Sequence, residues 1–142
     1  CLALTKGSDY FDFGIAGAPV TGWELYDTHY TERWMDTPQD NAEGYKKGSV
    51  LSYVDKYKGG LRIMHGDIDD NVHMQNTMQL VDALTDRSVP FELMIYPGSR
   101  HGFNRSKTGY DLKERIRFYY QYLLEKPVPA EVNTFVDSIY KK

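Results

Sequence analysis

The sequence predicts an α/β fold with parallel strands and covering helices, in three layers. Three short apolar runs, at 11–19, 61–65 and 91–96, alternate with segments of helical periodicity. Two polar motifs follow the second and third runs directly, where open α/β sheets carry their chemistry. The chain has 142 residues, 41% of them apolar and 26% charged, which suits a folded core of one domain.

The opening Cys-Leu-Ala-Leu-Thr-Lys-Gly reads as the last turns of a helix ending at Gly7. It has no Met and no signal peptide, so it is expected to lie inside a longer protein. Phe11 to Pro19 is small and apolar and predicts a buried strand. Trp23 to Met35 predicts a helix with Trp23, Tyr26, Tyr30 and Trp34 on one face. Residues 36–60 predict irregular chain with a short helix at Ala42–Lys47 and a break at Gly59-Gly60.

Leu61 to His65 predicts the second strand. His73 to Arg87 predicts a helix with Met74, Met78, Val81 and Leu84 on one face. Phe91 to Tyr96 predicts the third strand, ended by Pro97-Gly98. Tyr110 to Lys126 predicts a long helix with Leu112, Ile116, Tyr119 and Leu123 on one side, closed by Pro127 and Pro129. Residues 127–142 form a tail in which Ala130–Lys142 is either a short amphipathic helix or a loose end.

The net charge of -3, without a basic stripe, gives no footprint for nucleic acid as a partner. No apolar run approaches the roughly 18 residues of a membrane span. The single Cys is residue 1, so no disulfide closes within the chain. The twelve Tyr residues point to a pocket or interface as well as a core. An acidic run at 67–71 lacks the Gly and Glu of a calcium loop, and His65 and His73 match no standard metal spacing. No metal or cofactor is expected.

The two motifs are His-Gly-Asp-Ile-Asp-Asp-Asn-Val (65–72) and Ser-Arg-His-Gly-Phe (99–103). A loop Asp followed, one helix and one strand later, by a loop His fits the acid and base of a Ser-His-Asp triad in α/β-hydrolase order. Periodicity alone leaves Asp67, Asp69 and Asp70 open as the acid, and His101 open as a plain turn residue.

Three segments resemble the catalytic domain of the prolyl oligopeptidase group of serine peptidases, most closely the dipeptidyl peptidase IV subfamily. They are Ala18-Pro-Val-Thr-Gly-Trp-Glu-Leu-Tyr-Asp-Thr-His-Tyr-Thr-Glu-Arg-Trp-Met35, His65-Gly-Asp-Ile-Asp-Asp-Asn-Val-His73 and His101-Gly. The resemblance covers about residues 1–126 and implies the C-terminal portion of an α/β-hydrolase domain. It implies Asp69 as the acid and His101 as the base. It implies a proline pocket lined by Val20, Trp23, Tyr26, Tyr30 and Val72, with Asn71 binding the carbonyl of the substrate's first residue. The implied reaction releases Xaa-Pro or Xaa-Ala dipeptides from peptide N-termini through an acyl-enzyme.

The nucleophile elbow of that group, Gly-Trp-Ser-Tyr-Gly-Gly, does not occur in the chain. The resemblance places it upstream of Cys1, so the chain alone is expected to be inactive and, with a sheet edge open, to self-associate. It also implies an exported location and a homodimer using the helix at Tyr110–Lys126. The nearest alternative is another enzyme of the group, an acylaminoacyl peptidase or an endopeptidase. A different alternative is a non-catalytic α/β binding module, which requires Asp69 and His101 to lie out of reach of each other.

Overall fold

The computed structural model describes residues 1–140. Three parallel strands, β1 (Gly14–Gly17), β2 (Leu61–Gly66) and β3 (Glu92–Tyr96), pair in the order β1-β2-β3. Gly14 aligns with Leu61 and Arg62 with Glu92. The helices are α1 (Leu2–Thr5), α2 (Thr28–Met35), α3 (Ala42–Gly48), α4 (Gln75–Asp86), α5 (Arg105–Tyr119) and α6 (Ala130–Tyr140). The predicted α/β layering is what forms.

β2 is buried at every position because it is central and covered on both faces. On one face Leu61 and Ile63 pack with Leu80 and Leu84 of α4, Val50, Val54 and Tyr57 of the turn region at 50–57, Ala16, and Leu4 of α1. On the other face Arg62 meets Glu114 of α5. There Arg62, Glu92, Glu114 and Arg117 form a charged cluster with N···O distances from 2.6 to 3.5 Å. Charges survive at such a site only when paired, as these are.

Several predicted elements differ in extent. The first strand pairs only over Gly14–Gly17, and Phe11 and Phe13 are exposed. Ala18 turns the chain away at φ 43°, which ends the ladder soon after Gly17. The helix predicted over Trp23–Met35 is two pieces, a 3₁₀ turn at Trp23–Leu25 and α2. Asp27 makes the break: it is extended, and its carboxylate accepts the Tyr30 N–H at 2.8 Å as the cap of α2.

Of the predicted α4 face, Leu84 is buried and Val81 packs against the core, but Met78 is 45% exposed, and Asn76, Thr77 and Leu80 are the other buried residues. α5 begins at Arg105, five residues before the predicted start, and passes into a π turn at Tyr120–Leu124. Its inward residues are Gly109, Asp111 and Phe118, while Tyr119 and Leu123 are exposed. The charged cluster on the sheet face selects polar partners from α5, and the π turn shifts the helical phase of its last residues. The tail forms α6, docked on α5 through Gly109 against Tyr140 and an ion pair of Lys113 with Asp137 at 2.7 Å. The end of the predicted tail, Lys141 and Lys142, lies outside the described residues.

Candidate active site

Both motifs sit past the carboxyl ends of their strands, on loops stitched to each other. Gly66 closes β2 against the backbone of Ser99 and Arg100, and a Cβ there would lie 2.6 Å from the Ser99 carbonyl carbon. The Ile68 N–H donates to the Ser99 carbonyl at 3.2 Å, and the Gly98 N–H donates to Asp67 Oδ1 at 2.6 Å. Arg100 pairs with Asp70. Asp67 and Asp70 therefore each hold the second loop in place, and only Asp69 meets His101.

The Asp69 side chain is fully buried. Its Oδ1 accepts the N–H groups of Asn71 at 2.9 Å and Val72 at 3.0 Å. Its Oδ2 lies 3.0 Å from His101 Nδ1. Burial pushes its pKa up. The Asn71 N–H, His101 and the Val72 N–H more than offset that, and the carboxyl rests below its ordinary value. A carboxylate can only accept, so Nδ1 of His101 carries a proton and Nε2 of the neutral ring is basic. The His101 side chain is 48% exposed, and Nε2 makes no hydrogen bond among the described residues. A histidine fixed at one nitrogen and open at the other can move a proton for a bound reactant. The binding-module alternative requires this pair to be apart, and they are in contact.

The aromatic residues gather despite the broken helix. Trp23 and Tyr30 stack at 6.3 Å, and Tyr26 stands edge-on to both, at 6.2 and 5.6 Å. Trp34, predicted on the same face, is instead exposed beside Arg33. The Tyr26 hydroxyl donates to Asn71 Oδ1 at 2.7 Å and so links the cluster to the acid loop. Val20 is half-buried on the loop leading from β1 to the cluster, and Val72 is buried at 4% exposure. A cleft of about 750 Å³ opens beside this link and is lined by Glu24, Tyr26, Asp70, Asn71 and His73 among others. It shares Tyr26 and Asn71 with the expected pocket but not Val20, Trp23, Tyr30 or Val72.

Four residues outside the predicted site, in two pairs, hold it together. Asn76 is fully buried; its Oδ1 accepts the Thr21 N–H at 2.9 Å, and its carbonyl accepts the Thr21 hydroxyl at 2.8 Å. This ties the start of α4 to the turn that carries the aromatic residues. Thr77 meets His65 of β2 at 2.7 Å. The signal was present in the sequence, since Asn76 and Thr77 lie at helical spacing from Leu80 and Leu84 on the inner face.

Residues 1–126 match the family model described as the prolyl oligopeptidase family. The chain belongs to the prolyl oligopeptidase family. Its similarity to individual members is substantial. It is 39% identical to dipeptidyl peptidase 8 of Homo sapiens, over 91% of this chain and 15% of that protein. It is 45% identical to dipeptidyl peptidase 4 of Felis catus, over 71% of this chain and 14% of that protein. Among solved structures, dipeptidyl peptidase 4 of Porphyromonas gingivalis superposes with a TM-score of 0.78 at 40% identity, covering 89% of this chain and 18% of that one. The chain thus spans 14 to 18% of the length of these prolyl oligopeptidase family members. Its fold is that of an α/β-hydrolase segment. Among the described residues there is no cluster of three or more metal-ligating side chains, and no helix is long and apolar enough to cross a membrane.

Proposed function

We propose that this chain supplies the acid, the base and the proline pocket of a serine peptidase that releases Xaa-Pro or Xaa-Ala dipeptides from free peptide N-termini. The observation that carries the reading is the Asp69–His101 pair: a buried carboxylate 3.0 Å from one ring nitrogen, with the ring half exposed. Family membership supplies the reaction class.

In this reading His101 Nε2 takes the proton of a serine hydroxyl as that oxygen attacks the carbonyl after proline. The proton then goes to the departing amine, which leaves the acyl-enzyme. Asp69 holds His101 in the Nδ1–H tautomer and stabilises the imidazolium formed in between. Trp23, Tyr26 and Tyr30 offer flat apolar faces to a pyrrolidine ring, with Val20 and Val72 beside them. Tyr26 holds Asn71 by its Oδ1, which leaves the amide N–H₂ as donor to the carbonyl of the first substrate residue. In this reading the attacking serine is supplied from outside residues 1–142.

The test is hydrolysis of Gly-Pro-p-nitroanilide and an acetyl-amino-acid anilide by the isolated chain and by the intact protein that contains it. The intact protein is expected to cleave the first substrate, to lose that activity on His101→Ala, and to leave the acetylated one uncut. The chain alone is expected to cleave neither. Preference for the acetylated substrate, or a fully active His101→Ala, refutes the reading.

A further inference from the structure

A second histidine stands behind the Asp69–His101 pair and has no part in the proton transfers assigned to His101. His65, in β2, is fully buried. Its Nε2 is 2.7 Å from the Val72 carbonyl and 3.3 Å from Asp69 Oδ2, and its Nδ1 is 2.7 Å from the Thr77 hydroxyl oxygen. A carbonyl only accepts, so Nε2 carries the proton; in the neutral ring Nδ1 then accepts from the Thr77 hydroxyl. The ring is held at both nitrogens in one tautomer. Val72 is held at both ends too, its carbonyl by His65 and its N–H by Asp69 Oδ1 at 3.0 Å.

We infer that His65 is a positioning residue for Asp69, an inference that rests on the peptidase reading. Its N–H fixes the residue that donates to one carboxylate oxygen and stands against the other oxygen, the one facing His101. This has two effects. The plane of the carboxylate is set from behind, so Oδ2 is aimed at His101 Nδ1. The positive end of the His65 N–H dipole also favours negative charge on Oδ2, the oxygen that must stabilise the imidazolium. Thr77 acts one step further out, by selecting the tautomer of His65, as outer partners of ligating histidines do.

A packing role is separable from a hydrogen-bonding one. An apolar side chain of similar bulk would satisfy packing, whereas Gln can place an amide N–H where His65 Nε2 now donates. The experiment uses the intact protein containing this chain, as His65→Leu, His65→Gln and Thr77→Val. The readouts are kcat and KM on Gly-Pro-p-nitroanilide, circular dichroism, and the low-field proton resonance of His101 Nδ1–H, assigned by its loss in His101→Ala. His65→Leu is expected to lower kcat roughly 10- to 100-fold, the range for removal of an outer partner. KM should stay within threefold, and the resonance should shift or broaden. His65→Gln is expected to restore most of both, and Thr77→Val to fall between.

A folded His65→Leu with kcat within twofold of wild type and an unmoved resonance overturns the inference. So does equal loss in the Leu and Gln variants. If His65→Leu does not fold, Thr77→Val decides, and unchanged kcat and resonance in that variant overturn it. A wild type that fails to hydrolyse the substrate refutes the peptidase reading instead. The resonance, compared across the same variants, then decides the role of His65 by itself.

Discussion

Gly66→Ala tests how closely the two site loops must approach. A Cβ on Gly66 would lie 2.6 Å from the Ser99 carbonyl carbon and closer still to the oxygens of Ser99 and Arg100. All three atoms are backbone, so no side chain can swing aside. Restoring ordinary contact requires the loops to part by about 1 Å. The Ile68–Ser99 hydrogen bond, now 3.2 Å, and the Asp69–His101 contact, now 3.0 Å, lie across that seam. Overpacking of this kind costs about 1–3 kcal/mol, and rigid backbone places this case at the upper end. A 1 Å misplacement of a catalytic group costs on the order of 10²-fold in rate. Urea unfolding of the chain should therefore show a loss of about 2–3 kcal/mol, and kcat of the intact protein should fall about a hundredfold. Gly102→Ala serves as a stability control, because a Cβ there meets nothing within 4 Å. If Gly66→Ala loses less than about 0.5 kcal/mol and keeps kcat within threefold, the close backbone contact does not set the site.

Four other outcomes are expected. Asp69→Asn should lower kcat of the intact protein roughly 10⁴-fold, because an amide can stabilise the wrong His101 tautomer; steady-state kinetics checks this, and a loss under tenfold removes Asp69 from the role. Asn76→Ala should destabilise the chain by about 1–3 kcal/mol by orphaning the buried Thr21 N–H, read from denaturant midpoints. Asp69 and Glu92 both rest below their ordinary values, despite burial, through His101 and backbone donors in one case and Arg117 and Arg62 in the other. Their stabilisation is complete above the ordinary carboxylate range near pH 4 and is lost as pH falls through the lower folded values. Urea midpoints from pH 7 to pH 2.5 should drop in that acid window, and less so in Glu92→Gln. Finally, β1 pairs only with β2 among the described residues, so the isolated chain should self-associate through its open edge, visible in sedimentation velocity as mass above the monomer.

The elements legible in the sequence are those where apolar content and burial coincide. Leu61–His65 reads as a strand because Leu61, Ile63 and Met64 are apolar and all buried, and Gly59-Gly60 reads as a break because both adopt positive φ. The loops of Asp69 and His101 were legible for a related reason, since they follow those strands without delay. What stayed hidden is polar burial. Hydropathy puts Met78 inward and Asn76 and Thr77 outward, yet the structure does the reverse. Asn76 anchors the aromatic turn and Thr77 fixes His65, and these bonds offset the desolvation that would otherwise exclude them from the core. The same holds for α5, whose inner face follows the paired charges of Arg62 and Glu92 rather than the Leu112–Leu123 stripe. Such pairings span 12 to 55 residues of sequence and leave no trace in the hydropathy pattern. A polar residue at helical spacing from two buried leucines is the trace they do leave, and around this site it marks the residues that hold the loops in register.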